Sequence, residues 1–181
     1  MIMASPLAHA VVAVTVAVGF HIPSVPIRYW LLGILCAEVP DFDVIGFWLG
    51  IPYESILGHR GLSHSLLFAA LFSGMVAMWA GRWDSVPRAR LWSYLFLATL
   101  SHGIMDALTT GGLGVAFFAP FDNTRYFFSF HPIRVTPLEP SLVMGPAGIA
   151  VLKSEALWVG FPCALFLLGW SLSRGRWNRT G

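Results

Sequence analysis

Apolar residues fall into five long segments, set apart by short breaks rich in proline, glycine and charge. The first, Leu7–Val25, opens with Ser5 and Pro6, a favourable helix start. The second, Ile27–Val39, is closed by Pro40 and is shorter than the roughly 20 residues a straight span needs. It is expected to be tilted, sunk or only partly crossing. The third is Ser65–Ala80, the fourth Leu91–Leu108 and the fifth Ala156–Leu172. A sixth patch, Val44–Ile51, is too short to cross and is expected to lie at an interface. The long 110–153 connection carries two aromatic runs, VAFFAPF and RYFFSF, on either side of Asp122-Asn123-Thr124. That pattern suggests a small β-hairpin capping one face of the bundle. The expected fold is an all-α integral membrane protein with about five transmembrane helices.

Composition agrees. The chain has 181 residues, a length that suits one domain; 56% are hydrophobic and 11% charged, with mean hydropathy +0.70. A soluble domain carries about 25% charged residues. A net charge of +2, with no basic run beyond the loop arginine clusters, is too small to suggest nucleic acid as a partner. Cys36 and Cys163 lie in separate apolar segments and form neither a metal motif nor a disulfide framework. The N-terminus, MIMASPLAHA, has no lysine or arginine, so the first apolar segment is expected to stay in the mature protein rather than act as a signal peptide.

Arginines set the expected orientation. Arg82, Arg88 and Arg90 lie between the third and fourth segments, Arg174, Arg176 and Arg179 follow the fifth, and Arg28 lies between the first and second. With these on the cytoplasmic side, the N-terminus lies outside and the C-terminus inside. Eight ionisable residues then converge on the outer face. They are His9, Asp41, Asp43, His59, His64, His102, Asp106 and Glu155. The convergence was not an input, because orientation was set by arginines alone.

An aspartate within a transmembrane helix costs about 2.5–3.5 kcal/mol on insertion scales unless it is neutralised. His102 and Asp106 are spaced i, i+4 and share a helix face. Histidines and carboxylates converging on that face form an N/O ligand set suited to zinc, and less selectively to manganese or iron. The metal candidates are His9, Asp41, Asp43, His59, His64, His102 and Asp106. His59 and His64 are five apart, and the sequence alone leaves open which one binds, as it does for Asp41 and Asp43. Gly61 permits a turn between the histidines, and Ser63 is a candidate cap for the third helix. His21 and His131 are left out as ligands.

These motifs, His9, "PDFD" at 40–43, "HRGLSHS" at 59–65, "SHGIMD" at 101–106 and "PFDNTR" at 120–125, resemble the YdjM-like family of LexA-regulated, membrane-bound, metal-dependent hydrolases. The resemblance covers residues 1–135. It implies a single membrane-embedded hydrolase-like domain over 1–181, its motif-bearing core within about 1–135 and an anchoring helix at about 155–173. The family is distantly similar to zinc-dependent phospholipase C and the zinc nucleases, helical phosphoesterases with an early His, an Asp, a His and an HxxxD pair as ligands. Those enzymes hold three zinc ions through further downstream ligands that this chain lacks, so one or two ions are expected here. A phosphoester of a lipid or lipid-linked molecule at the outer membrane face is the expected substrate. In that reading an Asp41 or Asp43 left free by the metal accepts the proton of water, and Arg60 and Arg125 hold phosphate oxygens. Membrane lipids are the expected surroundings. A metal transporter or channel, and a haem protein using His9 and His102, are the alternatives.

Overall fold

Ser5 starts the first helix: its hydroxyl accepts a hydrogen bond from the Ala8 amide at 3.3 Å, and Pro6 sits in the first turn, where no amide hydrogen is needed. The computed structural model describes residues 3–20, 26–82, 86–136, 142 and 144–177. Helix α1 spans Pro6–Gly19, and the end of the expected segment, 21–25, lies outside the described residues. Helix α2, Ile27–Glu38, runs into a tight 3-10 turn at Val39–Val44 that carries the PDFD motif, then into a single turn, α3, at Ile45–Trp48. Helix α4 is Leu66–Ala80 and α5 is Arg88–Ala107. The cap of α4 is Ser65, whose hydroxyl accepts from the Phe68 amide at 3.0 Å. The expected cap, Ser63, turns instead to Asp43.

The last helix is longer than its apolar stretch suggested. It begins at Pro146 as α6, Pro146–Glu155, passes through one wider π turn at Ala156–Gly160 and continues as α7, Phe161–Trp177. Among the described residues, its Pro146–Ser173 portion is long and apolar enough to cross a membrane, whereas α1 and α4 are apolar but shorter.

Small residues let α1, α2, α4 and α5 approach closely. Ala13, Ala17, Ala37, Ala77 and Ala98 form the core with Tyr29, Leu91, Tyr94 and Leu95. Tyr94 fills a notch over Gly33, where a Cβ would lie 1.7 Å from the tyrosine oxygen. A second cluster, Ala4, Ala8, Met105, Ile133 and Val159, ties the start of α1 to α5 and the last helix.

The expected hairpin in the long connection is reduced to one rung. Val115 and Tyr126 exchange both backbone hydrogen bonds, at 2.9 and 3.0 Å, and no strand forms among the described residues. Gly112 and Gly114 adopt left-handed backbone, φ +87° and +81°, which breaks the extended conformation a strand needs. The connection still packs on the bundle: Thr110 and Phe128 amides donate to the Ile133 and Ala107 carbonyls.

Candidate metal centre

Two histidines are locked in the same tautomer. His102 places Nδ1 2.6 Å from the Ala37 carbonyl oxygen, an acceptor only, so Nδ1 carries the hydrogen. His64 places Nδ1 2.9 Å from Ser63 Oγ and 3.2 Å from Asp43 Oδ2. The Ser63 hydroxyl donates to that same Asp43 oxygen at 2.6 Å, which leaves its own lone pairs for His64. Anchoring both Nδ1 atoms turns both Nε2 lone pairs inward.

Those two Nε2 atoms meet two carboxylates. His102 Nε2 lies 3.2 Å from Asp41 Oδ1 and 3.9 Å from Asp106 Oδ2. His64 Nε2 lies 3.7 and 3.5 Å from the same two oxygens. All four residues are buried, and none of these four atoms makes a hydrogen bond. Buried polar groups are rarely left this way, so four together call for a partner. Zinc ligands at roughly 2.0–2.2 Å from the ion stand about 3.3–3.6 Å apart at the corners of a tetrahedron. The observed separations lie around that range, so the donor set fits a zinc-sized ion.

Asp43 has a different place. Its Oδ1 lies 2.7 Å from His59 Nδ1, and its Oδ2 accepts from Ser63 Oγ and, at 3.1 Å, from the Arg60 amide. It thereby organises the whole HRGLSHS stretch. Burial alone would raise the Asp43 carboxyl, but hydrogen bonds from His59 and His64 outweigh it and hold the group below the usual carboxylate range. Asp41 is also lowered against its burial, by the His102 and His64 imidazoles that face it. His64, which burial would lower, is raised well above its ordinary value by the surrounding carboxylates of Asp106, Asp41 and Asp43.

His59 stays in the Asp43 group. Its ring stacks on Tyr53, centroids 5.3 Å apart, and its Nε2 is buried without a hydrogen bond. His9 joins neither donor set. It stacks on His102 with centroids 3.9 Å apart, is fully buried, and neither of its nitrogens makes a hydrogen bond. Arg60 is also fully buried, with Nε 3.0 Å from Asp106 Oδ2 and Nη donors on the Gly111 carbonyl and the Thr109 hydroxyl. It has left-handed backbone, φ +61°, a conformation that costs a non-glycine residue about 1–2 kcal/mol. Gly61 serves the neighbouring close approach, since a Cβ there would lie 2.3 Å from the Ile56 carbonyl oxygen. Arg125 donates to the carbonyls of His59, Tyr53 and Ser55 and so pins the 53–59 loop.

The family model for the YdjM inner membrane protein matches residues 3–178. The chain belongs to this family. It is 34% identical over 165 residues to the inner membrane protein YbcI of Escherichia coli strain K12, an alignment covering 91% of this chain and 95% of the relative. No solved structure matches.

Two contributors escaped the sequence reading. The Ala37 carbonyl and the Ser63 hydroxyl set the tautomers, and neither role carries a sequence signal. Glu155, which the sequence placed with the converging residues, is buried in the last helix, holds the Ser5 amide and hydroxyl at 2.6 Å each and fixes the start of α1 below His9.

Asp43→Asn keeps the shape but weakens the acceptor behind His64. Metal affinity in this YdjM-family chain is expected to fall about 10–100-fold. Competition with a chromogenic chelator measures it, and an unchanged affinity would contradict the anchoring role.

Proposed function

We propose that this chain is a multi-pass membrane hydrolase that depends on a metal, with zinc the best fit, and acts on a phosphoester of a lipid or lipid-linked molecule at the outer membrane face. Asp41, His64, His102 and Asp106 hold the ion. The observation that carries the proposal is their four inward atoms, buried, without hydrogen bonds and spaced like ligands of one ion. A bound zinc ion supplies an activated water and polarises a phosphoryl oxygen.

The chain's residues supply the rest. Asp43 and the Ala37 carbonyl fix the two imidazoles, Arg60 orients Asp106, and His9 supports the His102 ring by stacking. Arg125 holds the loop that delivers His59. Phe42, Ile45, Phe47 and Trp48, exposed beside Asp41 and Asp43, favour a substrate with an apolar part. An apolar core of α1, α2, α4 and α5 favours a closed site over an ion path. The reading is of one domain over 1–181 with the N-terminus outside and the C-terminus cytoplasmic, supported by the arginine positions.

The test is hydrolysis of a chromogenic phosphodiester by purified protein. Chelation is expected to abolish turnover and added zinc to restore it. Turnover that survives complete metal removal would contradict the proposal, as would bound zinc with no ester cleaved.

A further inference from the structure

Helix α4 turns an apolar face away from the bundle, where Leu71, Met75 and Met78 are 66%, 62% and 66% exposed. Along it runs a groove of about 550 Å³, lined by the row Ala70, Gly74, Met78 and Arg82 and by Leu71, Met75 and Trp79 beside it. Residues four apart share a helix face, so the groove follows the helix axis. From Ala70 to Arg82 it is about 18 Å long at 1.5 Å per residue, close to one leaflet of a hydrocarbon core about 30 Å thick. Gly74 leaves it open in the middle: a Cβ there would meet nothing nearer than Trp92, at 3.6 Å.

One end of the groove is basic. Arg82 lines it, and Arg88 folds back over the end of α4, since a Cβ on Gly81 would lie 3.0 Å from Arg88 Cγ. Both arginines are exposed, and among the described residues neither pairs with a carboxylate. Arg90, the third arginine of this connection, is committed instead to the Phe20 carbonyl at the end of α1. Over 82–90 three arginines stand against one aspartate. Trp79, less than one turn before Arg82, suits the boundary between hydrocarbon and headgroups.

We propose that the α4 groove seats one acyl chain of an anionic phospholipid, with the phosphate held between Arg82 and Arg88. Shape and charge together select this occupant. An apolar channel one leaflet long that ends at two cations fits an acyl chain with an anionic headgroup. A second copy of α4 would fill the channel and leave the arginines unanswered, and a zwitterionic lipid would bring a cation of its own to them. His64 lies at the opposite end of α4, so the proposal does not depend on the metal centre.

The test uses the full chain in phosphatidylcholine vesicles that contain rising shares of brominated phosphatidylglycerol or, for comparison, brominated phosphatidylcholine. Bromine quenches tryptophan fluorescence on contact, and the part of the signal lost in Trp79→Phe reports the groove. Quenching of that part is expected to need a smaller share of the anionic lipid, each arginine contributing about fivefold to the preference. Arg82→Gln combined with Arg88→Gln is expected to abolish the preference. Gly74→Leu keeps both charges but fills the groove, and is expected to abolish it too; circular dichroism checks that each variant is helical. Equal quenching by the two lipids in wild type, or a preference that survives in either variant, would overturn the proposal. So would a Trp79 shielded from both lipids, which would assign the groove to a second copy of the chain.

Discussion

Replacing His102 with alanine is expected to cost this chain its zinc. Partners behind a metal ligand are worth about 10–100-fold in affinity, and a direct ligand is worth more. His102 supplies the donor closest to Asp41, at 3.2 Å, and its removal leaves three protein donors from the set of four. Two further losses follow. The Ala37 carbonyl loses its hydrogen-bond donor and His9 loses the ring it stacks on. Purified His102→Ala is expected to carry only traces of zinc under conditions that saturate wild type. His131→Ala is the control, because His131 is exposed, lies in neither donor set, and contacts the Phe128 carbonyl and the Phe127 ring. Equal zinc in His102→Ala and wild type would remove His102 from the site.

Asp106→Ala is expected to destabilise the protein even without metal. Arg60 is fully buried, and its Nε faces Asp106 Oδ2 at 3.0 Å. Removing one member of a buried ion pair leaves an uncompensated charge and costs about 3–5 kcal/mol. The Arg60 contacts to Gly111 and Thr109 remain, so part of the guanidinium stays satisfied. Thermal unfolding of chelator-treated protein in detergent measures the effect. Metal-free Asp106→Ala as stable as metal-free wild type would show that Arg60 does not depend on this carboxylate. The dual role also means that loss of metal in Asp106→Ala mixes two causes, the lost ligand and the unpaired Arg60.

The helices were legible because their signals are local. Ser5-Pro6 begins α1, and Pro40 ends α2 where the apolar run stops. The convergence of His9, Asp41, His64, His102 and Asp106 was legible too, because apolar segments make buried charge conspicuous. Ligand and support could not be separated from sequence. Asp41 and Asp43 stand two apart in one motif, yet one faces the donor set and the other organises His59, Ser63 and His64. That division depends on the winding of the 3-10 turn and on a loop 20 residues further on. Arg60 looked like an outer cation, and its left-handed backbone turns it inward to Asp106. The start of the last helix was missed because Lys153, Ser154 and Glu155 interrupt the apolar pattern just before Ala156.

The most direct measurement is zinc content combined with zinc K-edge absorption on purified wild-type protein. The expected result is about one tightly held zinc with nitrogen and oxygen neighbours at about 2.0–2.2 Å, including the outer scattering of two imidazoles. Protein purified without chelator and then offered zinc that retains none would contradict a metal centre at Asp41, His64, His102 and Asp106. So would a spectrum dominated by sulfur at about 2.3 Å, which would assign the ion to Cys36 or Cys163.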